Sequence, residues 1–385
     1  MKNIIEIACI TDVCGIHPGF GFLSENSRFA KICEEIDIKF IGPNYKIMEL
    51  MGNKSNARET MKKAGIPIIP GSEGTIETYK EAKICANEIG YPVMLKASSG
   101  GGGKGIRICN NEEELKSFYD IVKSESKAAF GDDSIYLEKV IQNPRHIEFQ
   151  ILADEQGNVI HLGERDCSVQ RRNQKVLEET PSTIITESLR KEMGKAVVNA
   201  VKAIGYTNAG TIEFLVDKHG KYYFMEMNTR LQVEHPITEE ITGIDIVKEQ
   251  IKIASGENLK YKQSKVNFSG HSMECRINAE DPTNKFMPSP GEITKLILPG
   301  GKGIRIESSI YQNYIVPTTY DPMIAKIIVH TSDRKSSIEK MKQAISEIVI
   351  EGIHTNKDFL IQILENKNFC DGEFDTSFIE KEFKM

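Results

Sequence analysis

Two glutamates and an asparagine on one hairpin are the first residues whose types and spacing suggest chemistry. If His219 and Gly220 form a two-residue turn in the segment 210–228, Glu213 lies directly opposite Glu226, and Asn228 faces the same side. Like charges directly opposed on a strand pair are destabilising, and the flanking residues are mostly apolar. A divalent cation removes the conflict, so the hairpin predicts Mg²⁺ or Mn²⁺ bound by Glu213, Glu226 and Asn228. Two surface glutamates in a slipped register are the alternative.

The residues immediately after this hairpin have the types needed to hold a small anion. If the strand continues, Arg230, Gln232 and Glu234 lie on the same side as the predicted metal ligands. An arginine fork binds a planar carboxylate-like anion through two hydrogen bonds. Glu234 would then stand where it can take a proton from that anion. The alternative is that Arg230 and Glu234 simply pair with each other.

A second basic cluster lies upstream, in the segment 164–175. It contains Arg165, Arg171, Arg172 and Lys175. A short charge-dense run of this kind is usually a solvated loop. Its place before the metal hairpin favours an anion pocket instead.

Four consecutive glycines at 100–103 are typical of a loop that covers phosphates. Glycines let backbone N–H groups approach a phosphate without obstruction from Cβ, and Lys96 and Lys104 add positive charge. The segment 106–109 alternates like a returning strand, whereas the dinucleotide fingerprint needs a helix there. Gly105 follows Lys104 where a Walker A loop needs Ser or Thr. We therefore expect a hairpin flap over phosphates, with a glycine-rich surface turn as the alternative.

Together, these motifs predict ATP and a metal held between two lobes, with a small oxyanion beside the γ-phosphate. Phosphoryl transfer of this kind depends on positioning and on neutralisation of charge. The net charge of −6 argues against nucleic acid as a partner, because binding to a phosphate backbone is usually signalled by a basic surface.

The composition is that of a folded chain with several domains. The 385 residues predict two or three domains, and 39% hydrophobic and 27% charged residues are close to the globular average. No run approaches the roughly 20 apolar residues that a membrane-spanning helix needs, so no membrane role is expected. The eight cysteines are scattered and no secretory leader is recognisable, so we expect reduced thiols and a cytoplasmic location.

The elements that must position these residues follow three successive patterns. Residues 1–50 alternate helices (3–10, 25–35) with short strands (13–16, 39–41), which predicts a parallel α/β unit. This unit opens on a helix with no preceding strand, so we expect a partial domain, from a fragment or from a displaced start. The next region predicts helices over 53–64, 78–89, 112–125 and 187–204 and strands over 91–97, 105–109, 135–139, 146–153 and 159–166. The last predicts strands over 270–278, 291–298 and 326–330 and one helix, 338–348.

The order of these motifs resembles the biotin carboxylase family of the ATP-grasp superfamily. The matching segments are HPGFGFLSEN at 17–26, the flap at 96–105, NPRH at 143–146, the segments 164–175 and 226–236, and ECRINAEDP at 274–282. The resemblance implies an α/β and α+β chain with an ATP-grasp fold over 51–265, whose glycine-rich flap subdomain lies at about 67–140. It also implies a partial Rossmann-like N-terminal domain over 1–50 and a strand-rich C-terminal domain over 266–385.

The resemblance further implies roles for individual residues. The nucleotide would be bound by Lys54, Lys96, Gly102, Gly103, Glu138, Lys139, Val140, Ile141, His146, Gln170, Asn173 and Leu215. Bicarbonate would be bound by Lys175, Arg230, Gln232 and the backbone N–H of Val233, with Glu234 as its general base. Arg276 would stabilise the ureido enolate of biotin, and the implied metal ligands are those of the hairpin. Asn173 stands where some members have His, and Phe20 where Tyr is common, so contacts to the nucleotide and to biotin are expected to differ in detail.

The implied reaction is the ATP-dependent carboxylation of biotin. Bicarbonate and ATP form carboxyphosphate, which collapses to CO₂ and phosphate, and phosphate then removes the N1′ proton of biotin. No Met-Lys-Met tripeptide is present, so we expect biotin on a separate carrier protein, carboxyltransferase subunits as further partners, and a homodimer. The parent enzyme could be an acetyl-CoA, propionyl-CoA or pyruvate carboxylase. An inactive ATP-binding or assembly module is the alternative, because family members carry further N-terminal residues.

Overall fold

The protein is described by a computed structural model that covers residues 1–98 and 105–384. Its N-terminal elements are α1 (Lys2–Ile10), β1 (Gly15–Ile16), α2 (Ser27–Glu35), β2 (Lys39–Phe40) and α3 (Tyr45–Gly52). β1 and β2 pair in parallel, as the sequence predicts. The sequence reasoning missed α3, although Asn44 caps it by accepting a hydrogen bond from the backbone N–H of Lys46 at 2.8 Å.

A small α/β unit follows. Its elements are α4 (Lys54–Lys63), α5 (Tyr79–Ile89), β3 (Val93–Ala97), β4 (Ile106–Cys109), α6 (Glu112–Phe130) and β5 (Ile135–Lys139). The three strands form an antiparallel sheet in the order β4-β3-β5, and Leu95, Leu115 and Leu137 are fully buried in its core. The returning strand predicted after the glycines is thus confirmed. Gly102 and Gly103 lie outside the described residues.

Two further groups of elements complete the chain. The first is β6 (Arg145–Ala153), β7 (Val159–Arg171), β8 (Gln174–Thr180), α7 (Glu187–Ala203), β9 (Asn208–Val216), β10 (Tyr222–Asn228), α8 (His235–Thr242) and α9 (Ile246–Ala254). The second is β11 (His271–Asn278), β12 (Glu280–Asp281), β13 (Met287–Pro288), β14 (Gly291–Glu292), β15 (Lys295–Ile297), β16 (Ile304–Ser308), β17 (Ile315–Val316), β18 (Met323–Thr331), α10 (Arg334–Glu347), β19 (Val349–Glu351), α11 (Lys357–Glu365), α12 (Lys367–Asp371) and α13 (Phe378–Phe383).

One antiparallel sheet of eight strands joins these two groups. Its strand order is β10-β9-β6-β7-β8-β11-β18-β16. The junction is the pairing of β8 with β11, where Leu177 lies opposite Cys275. Separate apolar clusters form on the sheet, one with α7 and one with α10 and α11. Because helices cover the sheet, charged side chains on its central strands are buried and lie close to one another.

The segment 164–175 is where the strand prediction was wrong. β7 runs to Arg171 instead of ending near residue 166, and β8 was not predicted. Arg172 and Asn173, with φ of 51° and 64°, form the turn that places Gln170 opposite Lys175. The sequence of this segment is charge-dense, like that of a solvated loop. In the structure, the charged residues of β7 instead have partners on neighbouring elements.

The C-terminal prediction was also incomplete. Four helices, α10 to α13, lie among the described residues after position 331, where one was predicted. The predicted strand over 291–298 is divided into β14 and β15. Phe359, Leu360, Ile363 and Leu364 on α11 are buried at helical spacing, a signal that the sequence carried.

Within residues 1–98 and 105–384, no helix has the length and apolar character needed to span a bilayer.

Candidate active site

A row of charged side chains crosses four neighbouring strands of the large sheet. Glu226 on β10 lies opposite Glu213 on β9, which lies opposite Glu148 on β6. Glu148 in turn lies opposite Arg165 on β7. Directly opposed residues share one face of a sheet. Three carboxylates are therefore brought side by side and need cations or protons to be stable.

The opposed pair Glu213 and Glu226 is observed as predicted, although the predicted turn was wrong. The backbone N–H of Asp217 donates to the carbonyl of Lys221 at 2.9 Å, so the loop is one residue longer than the predicted His219-Gly220 turn. That loop shifts the register by one, and a bulge between Phe224 and Glu226 shifts it back. The two deviations cancel at the glutamates.

Glu213 is surrounded by donors. It accepts hydrogen bonds from Asn228 Nδ2 at 2.8 Å and Gln232 Nε2 at 3.0 Å, and it contacts Lys175 Nζ at 3.2 Å and His146 Nε2 at 2.8 Å. Burial raises the pKa of Glu213, but Lys175 and His146 outweigh burial and lower it well below its ordinary value. Glu213 is therefore an anion throughout the physiological range.

Glu226 has no such donors. Within the part of the chain that the structure describes, no hydrogen bond or ion pair reaches its carboxylate. Burial and the neighbouring charge of Glu213 raise its pKa, while Lys54 at the start of α4 acts in the opposite direction. A partly buried carboxylate that lies beside an anion and lacks a donor among the described residues fits a divalent cation, with Glu213 and Asn228 as the adjoining oxygen donors.

Lys175 lies at the centre of the cluster. Its Nζ contacts Glu148 at 2.6 Å, Glu234 at 2.5 Å and Glu213 at 3.2 Å, and its side chain is only 13% exposed. Burial lowers its pKa, but the surrounding anions raise it well above its ordinary value. His146, Glu148 and Glu213 could also approach one cation, yet the ammonium of Lys175 already bridges the two glutamates. The side of Glu213 that faces Glu226 is thus the better cation site.

Glu234 joins the cluster from the start of α8. Its Oε1 accepts from Lys175, and its Oε2 contacts Nη2 of Arg276 at 3.0 Å. Burial raises its pKa, but Lys175, Arg276 and Arg165 together lower it well below the ordinary value. Glu234 is therefore ionised, the state that a general base requires.

Arg230 is placed by a residue from the N-terminal elements. β10 ends at Asn228, so the predicted continuation of the strand was wrong, but Arg230 still contacts Asn228 Oδ1 at 3.1 Å and Gln232 Oε1 at 2.9 Å. Its Nε donates to Glu25 Oε2 at 2.9 Å, so Arg230 pairs with Glu25 and not with Glu234. Glu25 lies in the HPGFGFLSEN segment, and its role was missed because it is remote in sequence.

Arg276 enters the cluster from β11. Its Nε donates to Glu178 Oε1 at 2.7 Å, and its Nη2 contacts both Glu178 at 2.6 Å and Glu234 at 3.0 Å. Glu178 lies on β8, so the junction of the sheet brings Arg276 to the other site residues. The sequence identified Arg276 but gave no role to Glu178.

Several of the residues predicted to bind the nucleotide lie on the smaller sheet and at the start of α4. Lys96 Nζ pairs with Glu138 Oε2 at 2.5 Å, and Arg58 Nε lies 3.8 Å from Glu138 Oε1. Lys139 directs its ammonium to the carbonyls of Gly90 and Tyr91, both at 2.9 Å. Because the ammonium of Lys139 is engaged by these two carbonyls, any contact from Lys139 to a nucleotide would use its backbone.

The remaining predicted nucleotide residues fall in two places. His146 contacts Gln170 Nε2 through its Nδ1 at 2.7 Å, and it lies opposite Leu215, so these three form one wall beside Glu213. Burial lowers the pKa of His146, but Glu213 outweighs burial and raises it. Val140 and Ile141 follow β5, whereas Asn173 is exposed at the β7–β8 turn.

The upstream basic cluster divides between the site and the rest of the fold. Arg165 is fully buried, and its guanidinium donates to Glu148 at 2.5 Å and to Thr238 at 2.9 Å. Arg171 pairs with Glu280 at 2.9 Å, away from the carboxylate row. Only Lys175 and Arg165 of this cluster therefore reach the site.

A small α/β unit beside an antiparallel sheet with carboxylates and cations on one face is typical of an ATP-dependent ligase of the ATP-grasp class. Three family models match the chain in succession. They are the biotin carboxylase N-terminal domain over residues 1–48, the carbamoyl-phosphate synthase L chain ATP-binding domain over 53–262, and the biotin carboxylase C-terminal domain over 274–381.

Known proteins agree with these models. Biotin carboxylase 1 of Bacillus subtilis is 54% identical over 99% of this chain and 85% of its own length. The Campylobacter jejuni biotin carboxylase structure, a β,γ-ATP complex, has a TM-score of 0.95 at 50% identity and covers 99% of this chain and 85% of its own. The Hydrogenobacter thermophilus 2-oxoglutarate carboxylase biotin carboxylase domain dimer, with MgADP, ADP and bicarbonate, has a TM-score of 0.94 at 52% identity, covering 99% and 84%. The chain belongs to the biotin carboxylase family, and its activity is ATP-dependent carboxylation of biotin.

Proposed function

We propose that this chain carries out the first half-reaction of a biotin-dependent carboxylase, using bicarbonate to carboxylate biotin held on a separate carrier protein. The observation that carries this proposal is the convergence of Lys175 and Arg276 on the buried carboxylate of Glu234, with Arg230 held nearby by Gln232 and the partly exposed Glu25. These cations are held in place by carboxylates, and a small oxyanion can take over some of the same hydrogen bonds. The arrangement therefore favours binding of a small oxyanion. The bicarbonate complex of the Hydrogenobacter relative supports the same substrate.

Bicarbonate would bind between Lys175, Arg230, Gln232 and the N–H of Val233. Lys326 Nζ donates to the carbonyl of Val233 at 2.7 Å, which holds the peptide group that joins Val233 to Glu234. No hydrogen bond from the Val233 N–H is found within residues 1–98 and 105–384. The N–H of Val233 is therefore available to an anion, and the peptide group that follows it is held by Lys326.

Glu234 would remove the proton of the bound bicarbonate. In the structure it is held by Lys175 and Arg276, which keep it ionised but make it a weak base. When bicarbonate takes over contacts to Lys175, Glu234 loses part of that stabilisation and becomes more basic beside its substrate. The deprotonated oxygen then attacks the γ-phosphorus of ATP to give carboxyphosphate and ADP.

The nucleotide would lie between the small sheet and the row of carboxylates. Lys54, Lys96 and the flap would hold its phosphates, while Glu213, Glu226 and Asn228 would hold Mg²⁺ or Mn²⁺. The bound metal supplies neutralisation of phosphate charge. His146 donates to Glu213 and so keeps its carboxylate oriented toward the phosphates.

The second part of the reaction takes place near Arg276. Carboxyphosphate collapses to CO₂ and phosphate, and phosphate removes the N1′ proton of biotin. The guanidinium of Arg276 would stabilise the negative charge that develops on the ureido oxygen. N1′ then attacks CO₂ to form carboxybiotin.

The partners, the oligomeric state, the domain boundaries and the location of this chain are also proposals. We propose a biotin carboxyl carrier protein and carboxyltransferase subunits as partners, a homodimer like the Hydrogenobacter domain, and the three-part division at residues 50 and 265. A cytoplasmic location stays a prediction, because relatives include both bacterial and chloroplastic proteins. The assignment of the parent enzyme to acetyl-CoA carboxylase and fatty acid synthesis likewise stays a proposal. Relatives also include subunits of pyruvate carboxylase and 2-oxoglutarate carboxylase.

The test of this function is phosphate release by the purified chain with ATP, Mg²⁺, bicarbonate and biotin. We expect release to require bicarbonate and to increase with biotin. Lys175→Met should abolish the increase, whereas Lys191→Met, which removes an exposed i,i+4 ion pair with Glu187, should leave it unchanged. A flat response to biotin together with intact nucleotide binding would support the inactive module instead.

A further inference from the structure

A second pair of opposed glutamates lies at the junction of the large sheet. Glu178 on β8 lies directly opposite Glu274 on β11, and both side chains are fully buried. Two ionised carboxylates in this position would repel each other in a poorly solvated environment. One of the two must therefore carry a proton.

The hydrogen bonds identify Glu178 as the anion. Its Oε1 accepts from Arg276 Nε at 2.7 Å and contacts Nη2 at 2.6 Å. Its Oε2 and both oxygens of Glu274 are buried without a hydrogen-bond partner among the described residues. A proton on Glu274 gives the pair a donor and a matching acceptor at Glu178 Oε2.

The titration of the pair agrees with this order. Burial raises the pKa of Glu178 to about 7, with Arg276 opposing the rise. Burial also raises the pKa of Glu274 well above its ordinary value, with Lys326 opposing and Glu178 adding to the rise. Glu274 therefore holds its proton after Glu178 has released its own.

We propose that Glu178 is a positioning residue for Arg276, and that Glu274 acts as a neutral hydrogen-bond donor that holds Glu178 in place. Glu178 and Glu234 together occupy Nε and Nη2 of the guanidinium, and no hydrogen bond from Nη1 is found within the described ranges 1–98 and 105–384. Nη1 is thus free to meet the ureido oxygen of biotin. This inference rests on the proposed function, in which Arg276 faces biotin.

Two isosteric substitutions separate the roles of the pair. Gln at position 274 keeps a donor facing Glu178, so Glu274→Gln should change kcat/KM for biotin by no more than about twofold. Glu178→Gln removes the anion that holds Arg276, so kcat/KM for biotin should fall by about tenfold or more, the usual scale for a lost charge-assisted hydrogen bond. The affinity for MgADP should stay unchanged in both variants, because neither residue reaches the nucleotide side.

Glu179→Gln is the matched control. Glu179 is the next residue on the same strand, equally buried, and paired with Arg334 Nε at 2.7 Å on the other face of the sheet. We expect Glu179→Gln to lower the melting temperature without changing kcat/KM for biotin. Unchanged kcat/KM in Glu178→Gln, or an equal loss in Glu179→Gln, would overturn the positioning role.

Infrared difference spectra test the proton without using activity. The protonated-carboxyl band should lose one contribution in Glu274→Gln relative to the unaltered chain. An unchanged band, or a loss of kcat/KM in Glu274→Gln as large as in Glu178→Gln, would overturn the assignment of the proton to Glu274. If the unaltered chain shows no biotin-dependent phosphate release, the proposed function fails, and the infrared comparison still decides the state of the pair.

Discussion

The large sheet contains two pairs of opposed glutamates that resolve the same electrostatic conflict in different ways. Glu213 and Glu226 lie near its β10 edge, where Glu213 has four donors and Glu226 has Lys54 as a nearby charge. Glu178 and Glu274 lie at the β8–β11 junction, where Arg276 is the donor for one oxygen of the pair. We propose that the first pair binds a cation, whereas the second shares a proton. Opposed carboxylates alone therefore do not identify a metal site, and the surrounding donors decide.

Among the substitutions that test this comparison, Glu226→Gln should have the largest effect on activity. It removes one carboxylate from the proposed metal site, so bicarbonate-dependent ATP hydrolysis should fall by about a hundredfold or more. The same change relieves repulsion with Glu213, so the melting temperature without metal should not fall. Steady-state phosphate release and thermal denaturation measure the two effects. Full activity in Glu226→Gln would contradict the metal assignment.

Mg²⁺ should distinguish the two pairs without turnover. A cation that binds only the folded chain stabilises it, so Mg²⁺ with ADP should raise the melting temperature more than ADP with a chelator. Glu226→Gln should abolish the difference, while Glu274→Gln should preserve it. Equal losses in the two variants would mean that the pairs are not functionally distinct.

The pH dependence of stability should have opposite signs at Glu274 and at Glu213, one residue of each pair. The raised pKa of Glu274, which Lys326, Arg276, Glu178 and Glu234 all face, means that its stabilising contribution is present at low pH and is lost as pH rises above about 4.5. Glu274→Gln should therefore gain stability relative to the unaltered chain between pH 5 and 8, by at most about 1.4 kcal/mol per pH unit.

The lowered pKa of Glu213 gives the reverse sign. Its contribution is present above about pH 4.5 and is lost as pH falls toward its folded-state pKa. Glu213→Gln should therefore be most destabilised, relative to the unaltered chain, near neutral pH and less so near pH 4. Denaturant titrations across this range measure both variants, and slopes of the same sign would contradict the different protonation of the pairs.

Glu25→Gln should have the smallest effect. Its side chain is 39% exposed, and its carboxylate orients Arg230 from outside the sheet. We expect the KM for bicarbonate to rise by about fivefold with little change in kcat, because one charge-assisted hydrogen bond is weakened. Glu35→Gln, which removes an exposed ion pair with Lys31 on α2, is the control and should leave the KM unchanged. A loss of kcat would place Glu25 in the chemical step instead.

Local patterns predicted the parts of the fold that depend on neighbours in sequence. The strands at 93–97, 106–109 and 135–139 follow from alternation and were found close to where they were expected. The opposed glutamates of the hairpin were also found, but only because a bulge offsets a turn one residue longer than predicted. β8 was missed because its residues Lys175, Glu178 and Glu179 are charged, and their partners lie on other strands. The helices α11 to α13 were missed although α11 carries a helical pattern of apolar residues.

The sequence by itself determined which chemical groups are present and which of them share a strand face, because alternation along a strand is a local property. It placed Glu213 beside Glu226 and Asn228, and the motif order indicated the family and predicted individual site residues. Only the tertiary structure decided that β8 pairs with β11 and that Glu25 reaches Arg230 across 205 positions. The physical reason is that sheet order and docking between regions are set by which buried faces and charges satisfy one another, and those partners are far apart in the chain.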